Sequence, residues 1–374
     1  MDPGANGASS VGLVHDYLLV MRGAERTFAA IAECFPSAPI YTLLYDPEGT
    51  NGAFRDRVVR TSYLQRLGAN QRSFRRMLPL FSRAAERLPL REHDLVISSS
   101  SAFAHAVRPR PGVVHVSYCH SPFRYAWFER RRAEHELPAP LRPLLRLTLD
   151  RIRRSDLDAS RRVSHYIANS EATRGNIQRY WGRDATVVHP PVDVHRFSVA
   201  EPEDYLLVVT ELVPHKRVDV ALEAGRRAGL PLKVVGTGPD LERLRTRHGD
   251  HAEFLGRVGD DELARLYSRA LALVMANVEE FGIAAVEAQA AGRPVVALAA
   301  GGALETVVPD RTGVLVPPGD FDALAEALRT TDFRAFSPAA IREHAQGFSR
   351  EAFQARFTAE VGRVAPVRPS AGRG

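Results

Sequence analysis

The chain has 374 residues, 45% hydrophobic and 25% charged, with a formal net charge of +6 and two cysteines. That length exceeds one ordinary core and suits two domains, and the composition is that of a globular protein rather than a disordered or fibrous one. Cys34 and Cys119 make neither a disulfide framework nor a metal-ligand spacing, no apolar run is long enough to span a membrane, and the start, MDPGANGASS, lacks the regions of a signal peptide. A cytoplasmic protein with a disordered start at 1–9 is therefore expected.

The first strand is expected at Val11–His15, followed by a turn around Met21–Gly23 and a helix from Ala24. Between Arg60 and Arg91 eight arginines accompany a single acid, Glu86, and alternate with Phe74, Met77, Leu78, Leu80 and Phe81. Such a segment suits peripheral contact with an anionic membrane surface, and equally a solvated helix face in an arginine-rich chain. Nucleic acid is not an expected partner, because no zinc-finger spacing or RNA-binding motif is present. Strands follow at Asp94–Ser98, around Val113–Cys119 and over the run Val163–Ala168. Cys119 and His120 are neighbours along a strand and so point to opposite faces, which argues against a nucleophile pair. The passage His189-Pro190-Pro191-Val192-Asp193 stops helix and strand alike and suits a hinge linker.

A second alternating series runs through strand Tyr205–Thr210, helix Val218–Ala228, strand Leu232–Val235, helix Asp240–Arg247, strand Glu253–Leu255, helix Asp260–Arg269 and strand Leu271–Met275. It continues with a short Ala-rich helix from Gly282, the strand run Pro294–Ala300 and the helices Phe321–Thr330 and Arg350–Val361. This alternation defines an α/β fold with two Rossmann-like, doubly wound parallel sheets. The expected domains are 1–198 and 199–348, with a terminal helix over 349–365 crossing back to the first domain and a disordered tail at 366–374. Two such domains facing each other hold ligands at the carboxyl ends of their strands, in the cleft between them.

The stretch 277–302 carries the clearest chemistry. Gly282 and Ile283 open the Ala-rich helix, whose unpaired first amides and dipole make a seat for a diphosphate. Glu279, in the loop before it, is placed to accept hydrogen bonds from sugar hydroxyls, and Glu287, further in, to take a ribose diol. A Glu near the first turns of a helix is also often only a dipole-stabilising surface group. Lys216, directly after a strand, is one of two lysines against 48 arginines, which marks a place where a compact ammonium is needed, as at a phosphate oxygen. The other, Lys233, lies in or beside a strand. Gly236-Thr237-Gly238-Pro239 follows the strand Leu232–Val235 and reads alone as an ordinary tight turn. Lacking the third glycine and the acidic partner of a dinucleotide fingerprint, it excludes a nicotinamide site.

Glu279, Phe281, Gly282, Glu287, Ala290, Gly292, Pro294 and Val295 together resemble the Glu-x7-Glu signature of retaining glycosyltransferases of family 4, with the GT-B fold. Other segments are similar to the same family. Leu212-Val213-Pro214-His215-Lys216-Arg217 resembles the loop whose lysine binds the donor diphosphate, with Arg217 as a second positive charge, although Glu211 stands where many members carry arginine. Met21-Arg22-Gly23-Ala24-Glu25 resembles the glycine loop that brings backbone amides to the donor phosphates, since glycine permits the closest approach. Gly236 belongs to a turn similar to the family's Gly-x-Gly-Pro, and Tyr118-Cys119-His120-Ser121-Pro122-Phe123-Arg124-Tyr125 resembles the segment that sets a histidine beside the transferred hexose. Asn169-Ser170-Glu171 and the His189 passage look like architectural landmarks.

The resemblance, which spans Val11 to Val316, implies metal-independent, cofactor-free transfer of a hexose from a nucleoside diphosphate sugar to a glycan or lipid-linked acceptor, with retention. His120 and Glu279 would hold the sugar, and Gly23, Ala24, Lys216, Arg217, Gly236, Phe281, Gly282, Ile283 and Glu287 the rest of the donor. The segments look most like mannosyltransferases that use GDP-mannose in polysaccharide or glycolipid synthesis, with a UDP-sugar enzyme as the alternative. A nucleotide-sugar epimerase of the same fold and a non-catalytic basic binding module are the other classes.

Overall fold

Buried runs of Val, Ile and Leu form the centres of two all-parallel sheets, the pattern of strands covered on both faces. A computed structural model of the protein describes residues 10–68, 74–135 and 137–365. The expected loose ends at 1–9 and 366–374 lie outside the described residues, as do 69–73 of the Arg-rich segment. The chain divides into two units: the first runs through Asn169 and adds Thr173–Val188 and the residues from Gln354 on, and the second comprises Ser170–Ala172 and His189–Phe353.

In the first unit the strands are β1 (Val11–His15), β2 (Ile40–Thr42), β3 (Val59–Thr61), β4 (Leu95–Ser100), β5 (Val114–Cys119), β6 (His165–Ala168) and β7 (Ala185–Val187). They are ordered β3-β2-β1-β4-β5-β6-β7. The helices are α1 (Gly23–Cys34), α2 (Phe81–Glu86), α3 (Arg124–Trp127), α4 (Arg130–His135), α5 (Arg142–Ser160) and α6 (Glu171–Trp181), the last starting among the residues assigned to the second unit. Of the apolar residues expected to alternate with arginine between 60 and 91, Leu80 is exposed, whereas Phe81 is buried and Phe74, Met77 and Leu78 pack against the first-unit core. The packed residues serve this unit's interior.

In the second unit β8 (Leu206–Val209), β9 (Leu232–Val235), β10 (Ala252–Gly256), β11 (Ala272–Met275), β12 (Val295–Leu298) and β13 (Gly313–Val316) are ordered β10-β9-β8-β11-β12-β13. Its helices are α7 (Val218–Ala228), α8 (Leu241–His248), α9 (Asp260–Arg269), α10 (Ile283–Ala290), α11 (Ala303–Thr306), α12 (Phe321–Thr330) and α13 (Pro338–Gln346). The final helix, α14 (Arg350–Val364), starts here and continues as part of the first unit from Gln354, where Phe357 meets Tyr118 at 6.1 Å between ring centroids.

Both sheets share one winding. Strand order reverses beside the first strand of each unit, between β1 and β4 and between β8 and β11. At such a switch point the loops leave in opposite directions and open a crevice at the carboxyl strand ends.

Candidate active site

In the second unit the two strands at the switch point each deliver one of the expected groups. Lys216 ends a short 3-10 turn after β8, and Glu279 lies in the loop after β11. The Lys216 ammonium donates to Glu279 Oε1, and Asn277 Nδ2 donates to the same oxygen at 2.8 Å.

Glycines set both loops by close backbone approach. A Cβ on Gly236, whose φ is +142°, would lie 1.8 Å from the Thr210 carbonyl oxygen, and one on Gly238 2.2 Å from that of Leu212. Leu212 N donates to Thr237 O and Asp240 N to Leu212 O, both at 3.0 Å. The Gly236 turn is thus the mould against which the Lys216 loop is cast. On the other side Gly302 N donates to Glu279 O at 2.9 Å, and a Cβ on Gly302 would come within 2.2 Å of the Phe281 carbonyl oxygen. The loop between β12 and α11 therefore fixes the Glu279 loop.

Gly282 begins α10 in the left-handed region, φ +89°, with no side-chain cap on the helix start. Ile283 packs against the second-unit core. Phe281 is buried, lying 5.5 Å from the His189 ring and 5.6 Å from Phe348, while His189 Nε2 is 2.9 Å from Glu305 Oε2. His189, expected only as a landmark, holds Phe281 from behind.

Glu287 is 9% exposed. It accepts the Tyr267 hydroxyl at 3.0 Å and lies 3.6 Å from Arg196 Nη2. Burial and the neighbouring Glu287 hold the Tyr267 phenol well above its ordinary pKa, so it stays protonated and donates. Arg217 takes a left-handed conformation at the start of α7, φ +50°, with its guanidinium 4.8 Å over the Phe321 ring and Nε 3.6 Å from Asp219. The structure joins Lys216 with Glu279 and leaves Arg217 with Phe321 and Asp219.

The first unit builds its own constellation at the β1/β4 switch point. His15 and Ser99 are register partners, and His120 directly follows β5, its amide donating to Ser100 O at 2.8 Å. Ser99 Oγ lies 2.9 Å from His120 Nε2 and 3.1 Å from His15 Nδ1. His15 stacks on Phe28 at 4.7 Å and places Nε2 3.9 Å from Glu25 Oε1. The other Glu25 oxygen accepts the Arg22 amide at 3.0 Å, so the start of α1, where Gly23 and Ala24 lie, is tied to His15. Asp16 anchors the turn after β4 by accepting the amides of Ser101, Ala102, Phe103 and Ala104 at 2.5–3.0 Å. His15, Asp16 and Ser99 were not among the expected site residues. Ser98, Ser99 and Ser100 are each bonded to a histidine, which is how three serines lie buried in a central strand.

Burial, with His15 and Arg124 nearby, pushes the His120 imidazole down to about 3, and burial does the same to His115. In the unfolded chain each titrates near 6.5. The unfolded state therefore binds more protons between those values, and stability falls as pH drops from about 6.5 toward 3, by about 1.4 kcal/mol per pH unit for each histidine. Urea midpoints of His115→Gln between pH 7 and 5 are expected to show a pH dependence shallower by that amount; an unchanged slope would contradict it.

Among the described residues no three His, Cys, Asp or Glu side chains are grouped to hold a metal ion, and no helix is long and apolar enough to cross a membrane. Both cysteines are free thiols, and Cys119 is buried.

Two Rossmann-like units, each with polar groups gathered at its switch point, define a doubly wound α/β class that holds ligands at the carboxyl ends of its strands. Comparison with known proteins narrows this. Residues 21–196 match the family model described as Glycosyltransferase Family 4, and residues 193–331 the one described as Glycosyl transferases group 1. The chain is 34% identical over 242 residues to a D-inositol 3-phosphate glycosyltransferase of Streptomyces scabiei, covering 54% of each. It is also 34% identical over 227 residues to a GDP-mannose-dependent alpha-(1-6)-phosphatidylinositol monomannoside mannosyltransferase of Mycobacterium tuberculosis, covering 52% of this chain and 57% of the other. It thus spans about half the length of these relatives. Among solved structures, HepE of Anabaena in complex with UDP superposes with a TM-score of 0.69 over 95% of this chain and 100% of that one, at 19% identity. The chain belongs to the GT-B glycosyltransferases of the family 4 type.

Proposed function

We propose that this protein transfers a hexose from a nucleoside diphosphate sugar to a glycan or lipid-linked acceptor with retention at the anomeric carbon. The observation that carries the reading is the Lys216–Glu279 pair beside the uncapped start of α10, a cation and helix amides for a diphosphate next to a carboxylate for sugar hydroxyls. The leaving diphosphate is neutralised by Lys216 and these amides without a metal. The anomeric carbon–phosphate oxygen bond breaks as the bond to the acceptor oxygen forms on the same face. The acceptor proton passes to the departing phosphate oxygen, while Glu279 and His120 hold the hexose and Glu287 the ribose.

GDP-mannose is the first donor to test, because relatives 31% and 34% identical to this chain over 227 residues are named as GDP-mannose-dependent. The second reading, a UDP-sugar, is favoured by the UDP bound to HepE, which shares 19% of its sequence. Thermal unfolding with GDP, UDP, ADP and their sugars separates the two. A nucleotide at a hundred times its Kd stabilises the folded state by about 2.7 kcal/mol, which raises the Tm of a unit this size by about 5–10 °C. GDP and GDP-mannose are expected to give that shift, and a response to UDP alone would replace the donor. Incubation with donor alone tests the epimerase reading, which requires an isomerised sugar without acceptor, and the anomeric proton coupling of the transfer product reports retention.

A further inference from the structure

We propose that the outer face of α5, from Leu141 to Arg154, docks on an anionic lipid surface. Leu141, Leu144 and Leu147 are 48%, 64% and 46% exposed, and Pro138, Ala139, Pro140 and Pro143 beside them are exposed as well. Single exposed leucines are ordinary; three within seven residues, flanked by exposed prolines, form a patch. At about 100° per residue Leu144, Leu147, Arg151 and Arg154 share the side of the helix opposite Leu149, Ile152 and Asp156, which are buried. The helix therefore has a core side and a second apolar side that ends in arginines.

The charge around it is one-sided. Arg130 to Arg154 contains eight arginines against three acidic residues. Glu134 and Asp150 are taken up by Arg130 and Arg146. Among the described residues Arg131 and Arg151 form no salt bridge, and Arg154 Nε donates to the Asp150 carbonyl oxygen at 3.4 Å, its charge near a carboxylate that Arg130 already holds. Exposed leucines bordered by exposed arginines in excess of the acids match the chemistry of a bilayer boundary, acyl chains beneath a layer of anionic headgroups. A second copy fits less well, since a two-fold interface would press this positive face against itself. The Arg-rich segment 60–91 is the weaker candidate, because Phe74, Met77, Leu78 and Phe81 pack in the core and leave Leu67 and Leu80 as exposed leucines far apart in the chain.

The test is co-sedimentation of the full chain with vesicles of equal parts phosphatidylglycerol and phosphatidylcholine, and with phosphatidylcholine alone. The protein is expected to pellet with the anionic vesicles and to be partly released by salt. Leu144→Ser/Leu147→Ser should weaken the partition at least about tenfold at any salt concentration, and Arg151→Glu/Arg154→Glu should abolish the preference for anionic lipid. Arg66→Glu/Arg83→Glu should change it far less. The proposal is overturned if the native chain stays in solution, if the α5 variants pellet like it, or if sedimentation velocity shows a dimer that the leucine changes dissolve while vesicle binding is absent. Nucleotide-induced thermal shifts of the same variants should match those of the native chain, so failure here leaves the donor reading untouched.

Discussion

Lys216→Ala is expected to lower kcat/KM for sugar transfer by about two to three orders of magnitude and to weaken the binding of free nucleoside diphosphate with it, because it removes a preorganised charge from the leaving group. Glu279→Gln should behave differently. Glu279 Oε1 accepts from both the Lys216 ammonium and Asn277 Nδ2. An arriving diphosphate competes with that carboxylate for the lysine, so glutamine frees the cation while losing the acceptor for sugar hydroxyls. Free nucleotide should then bind at least as tightly as to the native protein, while transfer falls about a hundredfold. The pair is partly exposed, so its loss costs stability only about 1 kcal/mol or less and both variants should fold. Nucleotide titration and steady-state kinetics on the two single variants and the double variant decide the matter. Equal weakening of nucleotide binding by both changes would show that Glu279 contacts the nucleotide rather than the sugar, and no effect from either would remove the pair from the site.

Where the sequence was read to the residue, local signals agreed with one another. The strand Leu232–Val235 and the helices Val218–Ala228, Asp260–Arg269 and Phe321–Thr330 match the structure, bounded by devices such as Gly229 in the left-handed region after α7 and the Asp320 side chain capping α12. β2, β3 and β7 are three residues each, too short to show a period. The helix α5 hid behind Pro138, Pro140 and Pro143, although proline is tolerated in the first turn, where its missing amide has no partner to lose. β4 runs two residues past the expected end at Ser98, because the hydroxyls of Ser98, Ser99 and Ser100 meet His115, His120 and His105 and so lie satisfied in a buried strand. The site divides along the same line. Lys216, Glu279 and Glu287 announce themselves by type and spacing. The groups that hold them in place, Gly302 behind Glu279, Tyr267 and Arg196 on Glu287, and His189 behind Phe281, come from distant segments, and only sheet register and loop packing bring them together.

His120→Ala is expected to slow transfer about a hundredfold with little change in nucleotide affinity, and Ser99→Ala to reproduce about a tenth of that loss by a different route. A serine hydroxyl has one proton, so Ser99 can donate to only one of the two imidazoles it touches. The Glu25 carboxylate, 3.9 Å from His15 Nε2, favours the proton on that nitrogen. His15 Nδ1 then accepts from Ser99, and Ser99 Oγ accepts the Nε2 proton of His120. With its pKa pushed down to about 3, His120 is neutral across the working range and presents an unprotonated Nδ1, an acceptor for a sugar hydroxyl rather than an acid. Nitrogen-15 histidine spectra should therefore show His120 protonated on Nε2 in the native protein and a mixture of tautomers in Ser99→Ala, with Ser99→Thr restoring both tautomer and rate. The kcat profile should have no acidic limb near 6.5 from His120. A native tautomer in Ser99→Ala together with full activity would reduce Ser99 to a packing residue, and an Nδ1-protonated His120 in the native protein would reverse its role from acceptor to donor.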